Sequence, residues 1–219
     1  MSLNLLKHAN ELINTGKYLL DENLAWGNSG NMSCRLDENY MLITGSGTNM
    51  GDLRVTDLVE VNIPSGSYAK GEKKPSKEIP MHAAIYQARP ETTFIIHSSP
   101  FWSTFAACSS MVISNELFIE SMYYAEKIAY VDYFHPGSQE LGKAVGTASE
   151  KADVLFLKNH GIIVFDTSMQ EAKMRIETIE MTCRMIAVSR MTNIPLNQLP
   201  SSVVADFLDN SGYKPRRKL

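Results

Sequence analysis

Cysteine is scarce in this chain. The three in 219 residues, Cys34, Cys108 and Cys183, are odd in number, far apart and form no CxxC pair. That leaves no basis for a disulfide framework or a cysteine zinc site. Long apolar runs are missing too: none approaches the ~18 residues of a membrane span. The amino terminus lacks a basic stretch followed by an apolar segment, so no signal peptide is expected and the expected location is the cytoplasm. Basic residues are not in excess, 21 Lys and Arg against 24 Asp and Glu for a net charge of -3, which gives no case for nucleic-acid binding. The one basic cluster, Lys214, Arg216, Arg217 and Lys218, is expected to form a flexible, solvated tail over about residues 210–219, able to close over an anion. Nucleotide and serine-hydrolase signatures are absent: there is no GxxxxGK[ST], no GxGxxG after a strand and no GxSxG. With no repeat, no low-complexity segment and no marked linker, residues 1–219 are expected to form one domain.

What is present is an ordinary globular composition, 44% hydrophobic and 21% charged, on a chain long enough to bury a substantial core. Apolar periodicity predicts helices over Leu3 to Leu20, Ile79 to Arg89, Ser103 to Cys108, Ser138 to Ala148, Met169 to Met191 and Val203 to Leu208. Short strands are predicted at Met32 to Leu36, Tyr40 to Thr44, Val59 to Ile63, Phe94 to His97, Ala129 to Asp132, Asp153 to Lys158 and Gly161 to Phe165. Strands and helices alternate, yet several strands are joined by tight turns. The expected class is α/β of the α+β kind, with a mixed, mainly antiparallel central sheet covered by helices. The methionines at 169, 174, 181, 185 and 191 recur at helical spacing, which suits core or subunit contact better than a sulfur ligand set.

The chemistry points to three segments. His97 ends the apolar run Thr93-Phe94-Ile95-Ile96, His160 ends Val154 to Asn159, and Glu78 lies in the Pro-bounded stretch KPSKEIPMH from Lys74 to His82. Singly, each histidine suits a hydrogen-bonded place at a sheet edge. Together, two imidazoles and a carboxylate form a donor set for a divalent transition metal that keeps positions open for substrate. Three loops rich in small residues, Gly30-Asn31-Met32-Ser33, Thr44-Gly45-Ser46-Gly47 and Pro75-Ser76-Lys77, have the composition of anion sites. The Ser46 and Ser76 hydroxyls, the Asn31 amide and the Lys77 ammonium would complete a phosphate cradle.

The order Gly-Asn-x-Ser, Thr-x-Ser-Gly, Lys-Pro-Ser-x-Glu-x-x-x-His, an apolar strand ending in His, then Asn-His-Gly resembles the class II aldolase/adducin family. The likeness runs from about Leu5 to Met191, and the fuculose-phosphate and ribulose-phosphate enzymes are the nearest comparison. It implies that His97, His160 and Glu78 hold a divalent ion, zinc or manganese, with Glu78 also the catalytic acid and base. It implies that Gly30, Asn31, Ser46, Gly47, Ser76 and Lys77 hold the phosphate of a small phosphorylated sugar or sugar acid. A homotetramer with interfacial active sites is implied as well. The implied reaction cleaves a short ketose 1-phosphate to dihydroxyacetone phosphate and an aldehyde. The family also contains 3-oxo-tetronate 4-phosphate decarboxylases and metal-free adducin-like binding proteins. Three departures bear on the choice. Ser99 stands where the family has a second histidine on the metal strand, leaving water or a residue such as His135 to complete the set. Phe118 stands at the family's proton-donating tyrosine, for which Tyr123, Tyr124 or Tyr213 would have to substitute. Lys77 replaces a serine, as in the tetronate decarboxylases.

Overall fold

Every residue of the strand Phe94–Ser98 (β4) is buried, on both faces. A strand of this kind belongs in the interior of a sheet, and in the computed structural model, which describes residues 3–71 and 73–216, β4 is the central one of seven. The others are β1 (Asn31–Arg35), β2 (Tyr40–Thr44), β3 (Leu58–Asn62), β5 (Ile128–Val131), β6 (Val154–Leu157) and β7 (Gly161–Asp166), in the order β3-β2-β1-β4-β7-β6-β5. Neighbours run antiparallel except β5 and β6. That parallel pair is joined by a crossover helix, as parallel strands require. The expected mixed, mainly antiparallel sheet is therefore what the chain forms.

Helices cover both faces because the strands alternate which residues they offer each side. Met32, Cys34, Phe94, Ile96, Phe156 and Val164 pack with α1 (Leu3–Asp21), α3 (Phe101–Ala107) and α6 (Met169–Thr192). Met41, Ile43, Ile95, Leu155, Ile163 and Phe165 pack with α2 (Ile79–Ala88) and α5 (Gln139–Ser149). Ser138 and Ser168 cap α5 and α6, their hydroxyls accepting from Leu141 N and Glu171 N. Each such cap stabilises its helix by ~1 kcal/mol. The methionines of α6 divide: Met169 is buried, whereas Met181 and Met191 are exposed.

Two short helices complete the fold, α4 (Ile119–Tyr124) and α7 (Ser201–Asn210). No periodicity announces α4, because its six residues are too few to show one. They form a third apolar cluster with Tyr213. The tail is tied down as far as Arg216: Lys214 Nζ meets Glu171 Oε1 at 2.7 Å and also contacts the Tyr124 hydroxyl, and Arg216 pairs with Glu126 and Asp209. Arg217 and Lys218, part of the predicted basic tail, lie outside the described residues. Cys34 and Cys183 are buried and Cys108 is exposed, all as free thiols. No described helix is long and apolar enough to cross a membrane.

One end of the sheet is fastened by buried charges. Arg175 of α6, 1% exposed, meets Asp166 of β7 at 2.8 Å and donates to the Tyr124 carbonyl at 2.9 Å. Arg89, at the end of α2, meets Asp153 at 2.8 Å. Breaking a buried pair leaves charge in low dielectric and costs about 3–5 kcal/mol. We predict that Arg175→Leu lowers unfolding stability by that amount, read as a lower urea midpoint at an unchanged slope.

Candidate metal centre

The other end of the same sheet holds the predicted chemistry. On β4, Phe94 and Ile96 face α1 and α6, so Ile95 and His97 face α2. Register pairs His97 with Asn31 of β1, and Ser33 with Ile95. Asn31, Ser33 and His97 therefore stand together on the α2 face. Glu78, His82 and Tyr86 are spaced i, i+4 and i+8, which lines them along one side of α2 and its leading residue. Gly30 makes the approach possible: it adopts φ +83°, and a Cβ there would lie 2.5 Å from the His97 carbonyl.

Glu78 occupies the first position before α2, but its side chain makes no cap hydrogen bond. It points inward, 7% exposed, with Oε2 3.3 Å from His97 Nε2 and Oε1 3.3 Å from His160 Nε2. His160 comes from the β6–β7 turn, where Asn159 adopts φ +56°. Gly161 follows it because a Cβ would press on the Ser98 carbonyl and the Ser99 hydroxyl, at 2.6 and 2.8 Å. The two imidazole rings meet edge to face, centroids 4.8 Å apart. The three ligand atoms all lie within 4.8 Å of one another.

The proton inventory shows what the centre lacks. His97 Nδ1 lies 2.9 Å from the Ile162 carbonyl, which can only accept, so Nδ1 carries a proton and Nε2 is the nitrogen turned toward Glu78. This is how a metal-binding imidazole is usually oriented. Glu78 Oε1 is buried and has no hydrogen-bond partner. His160 is pushed down to about 4, first by burial and then by His97, with Glu78 opposing. Burial pushes the Glu78 carboxyl up, but His97, the Asn31 hydrogen bond, His160 and His82 outweigh it and hold it below the ordinary carboxylate range. A carboxylate and two imidazole nitrogens thus converge on one buried point. A divalent cation fits that donor set, with one carboxylate, two imidazoles and room for further oxygen ligands.

The remaining predicted residues fall in different places. The loops after β2 and before α2 pair through a bridge between Gly45 and Pro75. Ser46, Ser76 and Lys77 then line one cavity of about 400 Å³, with Lys74, Tyr68 and Gln139. The amides of Ser46 and Ser76 are spent on the Lys74 and Thr44 carbonyls, so hydroxyls and lysines are what that cavity offers an anion. Gly47, at φ +71°, sits exposed beside Ser46. Asn31 and Gly30 differ from expectation. They are absent from that cavity's lining: the strand's alternation turns Asn31 to α2, where its Nδ2 donates to Glu78 Oε2 at 2.7 Å. Ser99 does not join the donors; its hydroxyl lies 3.3 Å from the His160 carbonyl. His135 is exposed against Tyr133. Tyr123 donates to the Pro215 carbonyl and Tyr213 packs on Phe207, both in the C-terminal cluster. Sequence alone assigns His82 no role, although its spacing four residues after Glu78 is the available signal. It is fully buried, with Nε2 2.6 Å from Asn31 Oδ1 and Nδ1 2.7 Å from the Ser33 hydroxyl.

Fold and site together define a single-domain protein: a helix-covered mixed sheet that gathers a carboxylate and two imidazoles at one end. Residues 10–187 match the family described as Class II Aldolase and Adducin N-terminal domain, and the chain belongs to that family. An L-fuculose phosphate aldolase of Methanococcus vannielii is 34% identical over 171 residues, 78% of this chain and 90% of that protein. A 3-oxo-tetronate 4-phosphate decarboxylase of Pectobacterium atrosepticum is 28% identical over 182 residues, 81% of this chain and 83% of that one. Among solved structures, an L-fuculose 1-phosphate aldolase superposes with a TM-score of 0.83 at 25% identity, covering 94% of this chain and 97% of the other. These relatives are lyases.

Burial, followed by His97 and opposed by Glu78, pushes His82 down from 6.5 to about 3. Between those values the unfolded chain binds a proton that the folded one refuses, so stability falls as pH falls through this window. At pH 5 this one group costs roughly 2 kcal/mol, or about 4–8 °C of melting temperature for a chain of this size. We predict that, with a chelator present, the parent's melting temperature drops more between pH 7.5 and 5 than that of His82→Gln. Parallel pH dependences would contradict the assignment.

Proposed function

We propose that this protein is a metal-dependent lyase that cleaves a short-chain ketose 1-phosphate, of fuculose, ribulose or deoxyribulose type, to dihydroxyacetone phosphate and an aldehyde. The observation that carries it is the convergence of Glu78, His97 and His160 around a carboxylate oxygen with no hydrogen-bond partner. The similarity to L-fuculose phosphate aldolases supports the substrate class.

A divalent ion held there, zinc or manganese, would polarise the substrate carbonyl as a Lewis acid and offset the charge left by bond cleavage. His97 supplies Nε2, its other nitrogen being engaged by the Ile162 carbonyl. His160 supplies the second imidazole. Glu78 accepts and returns the proton at the substrate carbon next to the carbonyl. Ser46, Ser76 and Lys77 hold the phosphate and so fix the reacting carbon with respect to Glu78. Acid/base group and phosphate grip share one turn, since the Ser76 hydroxyl accepts from the Glu78 amide at 3.2 Å. Walls of apolar core on the α2 face keep the carboxylate in low dielectric.

A second reading is 3-oxo-tetronate 4-phosphate decarboxylation. Lys77 beside Ser76 favours it, as do relatives of that name. Both reactions leave dihydroxyacetone phosphate; they differ in releasing an aldehyde or carbon dioxide. A metal-free adducin-like binding role is favoured by Ser99 and Phe118, and the convergence of Glu78, His97 and His160 speaks against it.

In the presence of zinc or manganese, dihydroxyacetone phosphate and an aldehyde should appear from a ketose 1-phosphate, should cease on chelation and should return on metal add-back. Carbon dioxide release from the tetronate phosphate, with ketose phosphates inert, would select the second reading. At saturating metal, Glu78→Gln should lower turnover by roughly 10²–10⁴-fold, while a non-reacting ester such as glycerol phosphate binds as to the parent. Near-parental turnover would remove Glu78 as the base.

We propose further that the chain is a homotetramer with its sites at subunit interfaces. Large apolar side chains on the α1–α3–α6 side stand exposed, among them Trp26, Phe101, Met181 and Met191 at 62%, 66%, 50% and 74%. Light scattering at micromolar concentration should give four times the chain mass, and a monomer would refute the assembly.

A further inference from the structure

We propose that His82 is a positioning residue for Glu78, acting through Asn31. The inference rests on the metal-centre reading above and concerns what holds its carboxylate in place.

The contacts form one buried file. Tyr86 Oη lies 2.9 Å from Ser33 Oγ, Ser33 Oγ 2.7 Å from His82 Nδ1, His82 Nε2 2.6 Å from Asn31 Oδ1, and Asn31 Nδ2 2.7 Å from Glu78 Oε2. All five side chains are buried. The direction of every hydrogen bond follows from the end that bears charge. An ionised Glu78 only accepts, so Asn31 presents its NH₂ there and its carbonyl oxygen to His82. A carbonyl oxygen only accepts, so His82 carries its proton on Nε2. Its Nδ1 then accepts from the Ser33 hydroxyl, and Ser33 in turn accepts from Tyr86. The Tyr86 hydroxyl also lies 3.4 Å from the Thr93 carbonyl, a longer contact than the one to Ser33.

The imidazole therefore locks the amide. An Asn31 turned over would set its oxygen against a carboxylate oxygen and its NH₂ against the His82 N–H. With Asn31 fixed, Oε2 is anchored from the strand side and Oε1 is left facing His160. Without the His82 donor, only Glu78 itself opposes rotation of the amide, and the partner that orients the carboxylate is held from one side instead of two. Partners of this kind, one contact removed from the metal, typically govern affinity by 10–100-fold. The fold makes the file by matching periods: Asn31 and Ser33 are two apart on a strand, and Glu78, His82 and Tyr86 are four apart along α2.

The test measures zinc affinity without substrate, by competition with a chromogenic chelator. We expect His82→Leu and Asn31→Ala each to weaken zinc binding by about 10–100-fold, and His82→Gln, which returns an N–H near the Nε2 position, to stay within about threefold of the parent. In the double variant Asn31→Ala/His82→Leu the loss should equal that of Asn31→Ala alone, since His82 acts only through the amide. Parental affinity in a folded His82→Leu, or losses that multiply in the double variant, would overturn the proposal. A second measurement needs no variant and no metal: nitrogen NMR of the metal-free chain should show His82 as the Nε2–H tautomer. The Nδ1–H tautomer would overturn the relay whether or not His82→Leu folds. If the parent takes up no zinc or manganese, the metal reading fails, and the tautomer still decides the relay.

Discussion

A carboxylate buried to 7% exposure is the constraint around which this end of the molecule is arranged. Transfer of an ionised carboxylate into protein interior is prohibitive unless charge or hydrogen bonds meet it. Glu78 receives one firm hydrogen bond, from Asn31, and two imidazoles stand close by. One oxygen has no hydrogen-bond partner. Burial and incomplete satisfaction together make this point a place for a cation, because a cation can be held by the carboxylate and both imidazoles at once.

The two ends of the sheet handle buried charge in opposite ways. At the Phe94 end of β4, Arg175 and Arg89 meet Asp166 and Asp153, so cations and anions are matched within the chain. At the His97 end, a carboxylate and two imidazoles meet with one carboxylate oxygen lacking a hydrogen-bond partner. The first arrangement ties α2, α6, β6 and β7 into a rigid frame, and the second uses that rigidity. Donors held on strands and on the start of a packed helix keep their separation when a substrate arrives, which is what positioning catalysis demands.

The relatives named above are aldolases and decarboxylases, reactions that differ in the group that leaves, an aldehyde or carbon dioxide. Ser99, Lys77 and Phe118 are the positions at which this chain departs, and they lie on three separate elements: the end of β4, the turn before α2 and the residue that opens α4.

Much of this was legible in the sequence. The strands appear as short apolar runs, the long helices as periodic segments, and Glu78, His97 and His160 as chemistry-bearing residues at the ends of elements. Local signals suffice there, because alternation and helical period are properties of the chain itself. Asn31 shows the limit. Its loop has the composition of an anion cradle, but its direction depends on which residue of β4 it pairs with, and register is a long-range property. The same holds for His82, whose partners come from β1, for Ser99, whose hydroxyl meets the turn carrying His160, and for α4, too short to have a period. The sequence by itself determined which side chains could do chemistry and on which elements they ride. Tertiary structure decided which of them meet, because the β1–β4 register and the packing of α2 across it bring together residues dozens of positions apart.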